Sequence, residues 1–143
     1  MSTEENKALM RRAYEAFNNA IRTGDFSPLG EVIAADIVDH NPGPGQAPGL
    51  EGVVQAFTML RAAFSDFQIT PEDVIAEGDK VVARVTIRAK HTGTFMGIPP
   101  TGKEVAQTGI DIVRIAGGKA VERWGEFDNV GLMQQLGAMP GPG

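Results

Sequence analysis

Residues 105–128 read VAQTGIDIVRIAGGKAVERWGEFD, two alternating apolar and polar runs on either side of Gly117-Gly118. Two glycines between alternating runs predict a two-residue hairpin turn, because both central positions of such a turn take positive φ, which glycine adopts without steric cost. Counting outward from the turn sets Ile115 opposite Ala120, Val113 opposite Glu122, Asp111 opposite Trp124 and Gln107 opposite Asp128, all on one face. A bulge would break this register.

Working outward, two further strands are expected at Phe67 to Glu77 and Lys80 to His91, turned by Gly78-Asp79. With His91 opposite Val105, the count sets Ala89 beside Gln107 and Val85 beside Asp111. One face then collects His91, Gln107, Asp111, Trp124 and Asp128. The other carries Arg84, Thr86, Arg88, Thr108, Ile110, Ile112, Arg114, Arg123 and Phe127, too mixed for a plain solvent face. A second copy of the chain covering it predicts a homodimer; long arginine stems lying over an exposed sheet are the alternative.

Upstream of the strands the period changes. Ser2 and Glu5 have capping-box spacing, and Met10, Ala13, Tyr14, Phe17, Ala20 and Ile21 recur at helical steps until Gly24. A short helix is expected from Ser27 and Pro28 through Ile33, then a strand from Ile37 to His40. Asn41 to Gly49 is a proline-glycine loop and a candidate lid. A third helix carries Val53, Phe57, Leu60 and Phe64 and ends at Ser65-Asp66. A last helix runs from Val130 to Leu136. The fold class is α+β, one domain over residues 1–137 with helices packed in a curved antiparallel sheet that encloses a pocket, and a flexible tail over 138–143.

Composition narrows the function. Hydrophobic residues make up 42% and charged residues 22%, as in an ordinary soluble globular protein, and no apolar run reaches membrane-spanning length. The net charge of -5 argues against nucleic acid as a partner. The acidic, polar start from Met1 to Lys7 is unlike a secretory signal, so a cytoplasmic location is expected. With no cysteine there is no disulfide or thiol nucleophile. No phosphate-binding glycine motif is present. His40, His91 and a carboxylate form a metal-binding set only on paper, since their spacing is unspecific; no metal and no cofactor are expected.

Three stretches, in order, carry a resemblance: Asp39-His40-Asn41-Pro42; His91-Thr92-Gly93-Thr94-Phe95-Met96-Gly97-Ile98-Pro99-Pro100-Thr101-Gly102-Lys103; and Gly118 to Trp124 with Asp128. They resemble the SnoaL-like polyketide cyclase (ester cyclase-like) family of the nuclear-transport-factor-like, cystatin-like α+β cones, over about residues 5 to 137. The resemblance implies a metal-free intramolecular aldol closure on a small or medium carbonyl substrate. It matches Asp128 to the family's general acid/base and His40 to a pocket histidine. Departures from it imply a wider or differently shaped pocket here, because Gly109 stands where a further polar pocket group is expected and Gly125 and Glu126 stand where bulkier residues are. A non-catalytic carrier of an apolar molecule, an isomerase and an epoxide hydrolase are alternatives on the same fold; the last needs a water between carboxylates and an arginine.

Such chemistry needs a base beside a carbonyl, an acid for the new alkoxide and donors at the enolate. Asp128, oriented by Gln107, is the candidate base, unless it caps the last helix. His40 is the candidate proton partner, or a strand-end histidine bonded to backbone. Tyr14, Phe57, His91, Gln107 and Trp124 are candidate substrate-binding residues, with His91 read chiefly as a loop anchor and Trp124 as a wall. Tyr14 offers its hydroxyl either to the pocket or to a buried carbonyl. Asp111, opposite Trp124, is the second acid on the pocket face and could divide acid and base work with a partner carboxylate; a salt bridge with an arginine at a subunit interface is the alternative and the one preferred.

Overall fold

The computed structural model describes residues 2–140. Of the tail expected from residue 138, residues 141–143 lie outside that part. The chain forms helix α1 (Thr3–Thr23), a 3-10 turn (Ser27–Glu31), strand β1 (Ile33–Asp39), helix α2 (Gly49–Ala63), strands β2 (Phe64–Glu77), β3 (Lys80–His91), β4 (Glu104–Ala116) and β5 (Lys119–Phe127), and helix α3 (Asn129–Gln135).

Several boundaries have a local cause. Ser2 Oγ accepts from the Glu5 amide and the Glu5 carboxylate accepts from the Ser2 amide, the reciprocal box that starts α1, and Gly24 at φ 82° ends it. Leu9, Met10, Tyr14 and Ile21 then point from one stripe of α1 into the core. Phe64 leaves α2 and opens β2 directly. The Ser65-Asp66 pair expected as a turn is instead an irregularity inside the strand, with Asp66 at φ 53°.

The five strands lie in the order β1-β5-β4-β3-β2; β1 runs parallel to β5 and the remaining pairs are antiparallel. One face, called here the covered face, buries Val81, Ala83, Val85, Ala89, Val105, Val113 and Ile115 in the same core cluster as the helices. The other is the open face. On β2, at the sheet edge, the Asn18 side chain accepts from the Ile69 amide at 2.8 Å and donates to the Ile69 carbonyl at 2.9 Å, and Pro71 removes a donor. Both features make the edge a poor template for another strand.

The hairpin turn is as expected, with Gly117 and Gly118 at φ 59° and 75°, and Ile115 pairs with Ala120. One residue further on, the register slips: Arg114 pairs with Glu122, Val113 with Arg123, Ile112 with Trp124 and Asp111 with Gly125. Val121 is the extra residue of a β-bulge, and beyond it every β5 side chain is on the face opposite to the simple count. Arg123, Gly125 and Phe127 share the covered face with Asp111, while Glu122, Trp124 and Glu126 share the open face with Ile110 and Ile112. The β3–β4 register is also offset, with Ala89 opposite Val105, Ile87 opposite Gln107 and Ala83 opposite Asp111. That shift is by two residues, so it leaves the faces unchanged.

Candidate active site

The covered face carries a polar cluster within the apolar core. Tyr14, a helical turn beyond Met10 on α1, donates its hydroxyl to Asp111 Oδ2 at 2.8 Å. Arg123 donates to Asp111 Oδ1 from Nε at 3.0 Å and Nη2 at 2.7 Å. Its remaining nitrogen, Nη1, lies 3.2 and 3.4 Å from the two oxygens of Asp39, at the end of β1. One guanidinium thus joins two carboxylates, and its carbon lies 5.8 Å from the centre of the Phe127 ring.

The electrostatics follow from burial. Removal from water works against the Arg123 charge, but Asp111 and Asp39 outweigh it and hold the guanidinium more firmly protonated than usual. Burial is also the main force raising the Tyr14 phenol above its ordinary value, and the Asp111 charge adds to it. Tyr14 is therefore a neutral donor, and Asp111 is gripped on both oxygens. A carboxylate so held can still accept through the remaining lone pairs.

Glycines make this packing possible. A Cβ on Gly125 would collide with the Arg123 guanidinium and come within 2.8 Å of Asp111 Oδ1, and a Cβ on Gly109 would collide with the Phe127 ring. The room that suggested a wider pocket is thus filled by two side chains of β5. Two cavities open elsewhere. A groove of about 780 Å³ lies between α1 and the start of β2, bordered by Asn18, Arg22, Arg61, Phe64 and Gln68. A second, of about 500 Å³, lies on the open face and is bordered by His40, Asn41, Ile110, Ile112, Trp124, Gly125 and Glu126.

The other expected residues do not join this cluster: Asp128 lies with Gln107 at the end of β5, and His40 lies with Trp124 on the open face. Asp128 accepts from the Gly131 amide at 2.9 Å as the cap of α3 and is exposed, so the cap alternative describes its geometry. Gln107 reaches the Asp128 carbonyl at 3.4 Å and the Asn129 side chain at 3.0 Å, and does not bond the Asp128 carboxylate. His40 stacks on Trp124 with ring centres 4.8 Å apart and contacts Glu122 Oε2 at 2.7 Å, on the open face. Arg114 holds Glu122 from the other side, and that hydrogen bond, with the one from His40, keeps the Glu122 carboxyl below the usual range. Phe57 stacks on Phe17, with ring centres 4.3 Å apart.

His91 is wholly buried at the end of β3. The Thr101 amide donates to its Nδ1 at 3.2 Å, which leaves the proton on Nε2, and the ring anchors the loop that follows. His40 and His91 thus occupy different faces, and among the described residues no cluster of three His, Asp or Glu side chains is placed to hold a metal. Nor, among them, is any helix long and apolar enough to cross a membrane.

Arg123 and Asp39 were not given a role in the site from the sequence; Asp111 was expected to form a salt bridge with an arginine, and it does so with Arg123 of the same chain. A signal was available. Continuing the simple count puts Glu122 in a row with Val113 and Ile115, whereas a bulge puts both Glu122 and Glu126 on the open face.

Three helices on a mixed five-strand sheet make this an α+β fold of the nuclear-transport-factor-like class. TsrD of Streptomyces laurentii shares it with a TM-score of 0.82 at 32% identity, over 92% of this chain and 97% of that one. Aklanonic acid methyl ester cyclase DnrD of Streptomyces peucetius is 32% identical over 143 residues, covering 96% of this chain and 92% of that protein. Nogalonic acid methyl ester cyclase of Streptomyces nogalater is 30% identical over 125 residues, covering 83% and 90%. The profile of SnoaL-like polyketide cyclases matches residues 8–136, and the chain belongs to that family.

Proposed function

We propose that the protein is a cofactor-independent cyclase that closes a ring in a polycarbonyl ester by an intramolecular aldol reaction, with Asp111 as the acid/base. The observation that carries this reading is the placement of Asp111 between Tyr14 and Arg123 on the covered face. A hydrogen on carbon between two carbonyls is acidic enough for a carboxylate to take. In this scheme Asp111 accepts that proton, the Tyr14 hydroxyl and Arg123 stabilise the enolate, the enolate carbon attacks a second carbonyl, and protonated Asp111 returns the proton to the new alkoxide. Product and substrate then have the same mass. The activities named for DnrD and its Streptomyces nogalater counterpart support the methyl ester of aklanonic or nogalonic acid as the first substrate to try.

The test compares turnover of such an ester by wild type, Asp111→Asn and Asp128→Asn. Asp111→Asn is expected to lose about 100-fold or more in kcat, the worth of a general acid/base. Asp128→Asn keeps a good helix cap and is expected to retain activity. The opposite ranking would return the acid/base role to Asp128.

A second reading rests on Arg123 lying between Asp39 and Asp111. Two carboxylates and a guanidinium can hold a water, one carboxylate taking its proton while the other protonates the oxygen leaving an opened epoxide. The diol product gains the mass of one water, so mass spectrometry of the product separates the two reactions.

We also propose that the open face pairs with a second copy. Val38 and Ile110 are 52% and 48% exposed there, beside Ile112 and Trp124. Arg88 lies on the β3 side and Glu126 on the β5 side, while Arg84 is already paired within the chain with Asp73, and Glu122 with Arg114 and His40. A two-fold axis parallel to the strands would bring opposite charges together.

A further inference from the structure

Only 11% of the Asp111 side chain and 14% of Asp39 are exposed, so a substrate reaches this cluster only if something moves. The segment joining β1 to α2, residues 40–48, is the piece whose ties converge there. Asp39 Oδ1 accepts from the Asn41 amide at 3.0 Å, and Oδ2 accepts from Gln46 Nε2 at 3.4 Å. Asn41 Oδ1 accepts from the Gly125 amide at 2.9 Å, and the Asn41 carbonyl lies 3.5 Å from Arg123 Nη1. At its far end the segment is fixed to α2, where the Ala47 amide donates to Gln55 and a Cβ on Gly52 would collide with the Ala47 carbonyl. Between these ties lie Gly43 and Gly45, the latter at φ 74°. The segment is thus hinged at α2 and latched at β1 and β5, and one carboxylate receives both the latch and the arginine.

We propose that Asp39 is a positioning residue that couples docking of the 40–48 loop to the placement of Arg123 against Asp111. With the loop docked, Asp39 is held by two loop donors and in turn holds Nη1, which lays Nε and Nη2 along Asp111. With the loop lifted, water replaces those donors, the Asn41 carbonyl leaves Nη1, and the guanidinium turns away from Asp111. Opening then admits the carbonyl substrate and frees an Asp111 lone pair; closing restores the clamp for the enolate. The catalytic consequence rests on the reading of Asp111 as acid/base, while the coupling itself does not.

The experiment follows two protons by nitrogen-15 NMR exchange in the full chain: the Gly125 amide, which reports the latch, and the Arg123 Nε–H, which reports the clamp. Gln46→Ala removes a half-buried loop side chain that bonds Asp39 and the Gly43 amide but neither Arg123 nor Asp111. It and Asp39→Asn are each expected to speed exchange of both protons by about tenfold, with Asp39→Glu recovering part of the loss. Faster Gly125 exchange with unchanged Arg123 Nε–H would overturn the coupling, as would no change at either. In turnover, Asp39→Asn is expected to lower kcat about tenfold with KM within about twofold, a loss of positioning rather than of binding. A wild-type chain that turns over no polycarbonyl ester would count against the Asp111 reading alone, since the exchange experiment needs no substrate.

Discussion

Tyr14 is the only tyrosine in the chain, so its phenol can be followed without interference from another. Its pKa is raised in the folded protein by burial and by Asp111, whereas in the unfolded chain it ionises near 10. Below pH 10 both states keep the proton and the stabilisation is whole. Above pH 10 only the unfolded chain releases it, so stability falls as pH rises, by about 1.4 kcal/mol per unit from this group. Tyrosinate absorbance is expected to appear only together with unfolding, and Tyr14→Phe is expected to lack that share of the slope in denaturant titrations at successive alkaline pH values. Tyrosinate appearing near pH 10 in a still folded protein would mean that the phenol is not locked against Asp111.

The order of the elements and most of their extents were legible in the sequence, because Ser2, Gly24, Gly78 and the Gly117-Gly118 pair act through local geometry that needs no tertiary partner; β1 was not, since it begins at Ile33, where the short helix was expected to continue. What escaped was one residue of register. Alternation along β5 reads equally well with or without the bulge at Val121 for two or three positions, and its location is settled by what the covered face accommodates: Phe127 over Gly109, Arg123 over Gly125. Asp128 was legible as either base or cap because a strand end that begins a helix offers the same residue to both. The proposed site followed the register: Asp111 was expected to pair with an arginine and does so, but Arg123, the arginine in question, was placed on the wrong face. The glycine that allows this arrangement is testable at the same scale. Gly125→Ala is expected to destabilise the fold by about 1–3 kcal/mol, as overpacking of a filled site does, and to release Arg123 from Asp111. An unchanged thermal midpoint together with an unchanged Arg123 Nε–H signal would show that the strand has slack the structure does not display.

Across the whole molecule, the two faces of the sheet are separate environments, and the single tryptophan lies on the open one. If a second copy covers that face, sedimentation velocity is expected to show a dimer that dissociates on dilution with a red shift of Trp124 emission, and Ile110→Glu should weaken it by at least about tenfold. A monomer at all concentrations with constant emission would leave the face to solvent. The bulge at Val121 bears on how such a chain can change over generations. Loss of a single codon there would turn the rest of β5 over, sending Trp124 and Glu126 inward and Arg123 outward at one stroke. An insertion or deletion in this one hairpin can therefore reset the inner chemistry more sharply than most substitutions, and a relative lacking the bulge, aligned without a gap at that point, would have unlike faces matched as equivalent.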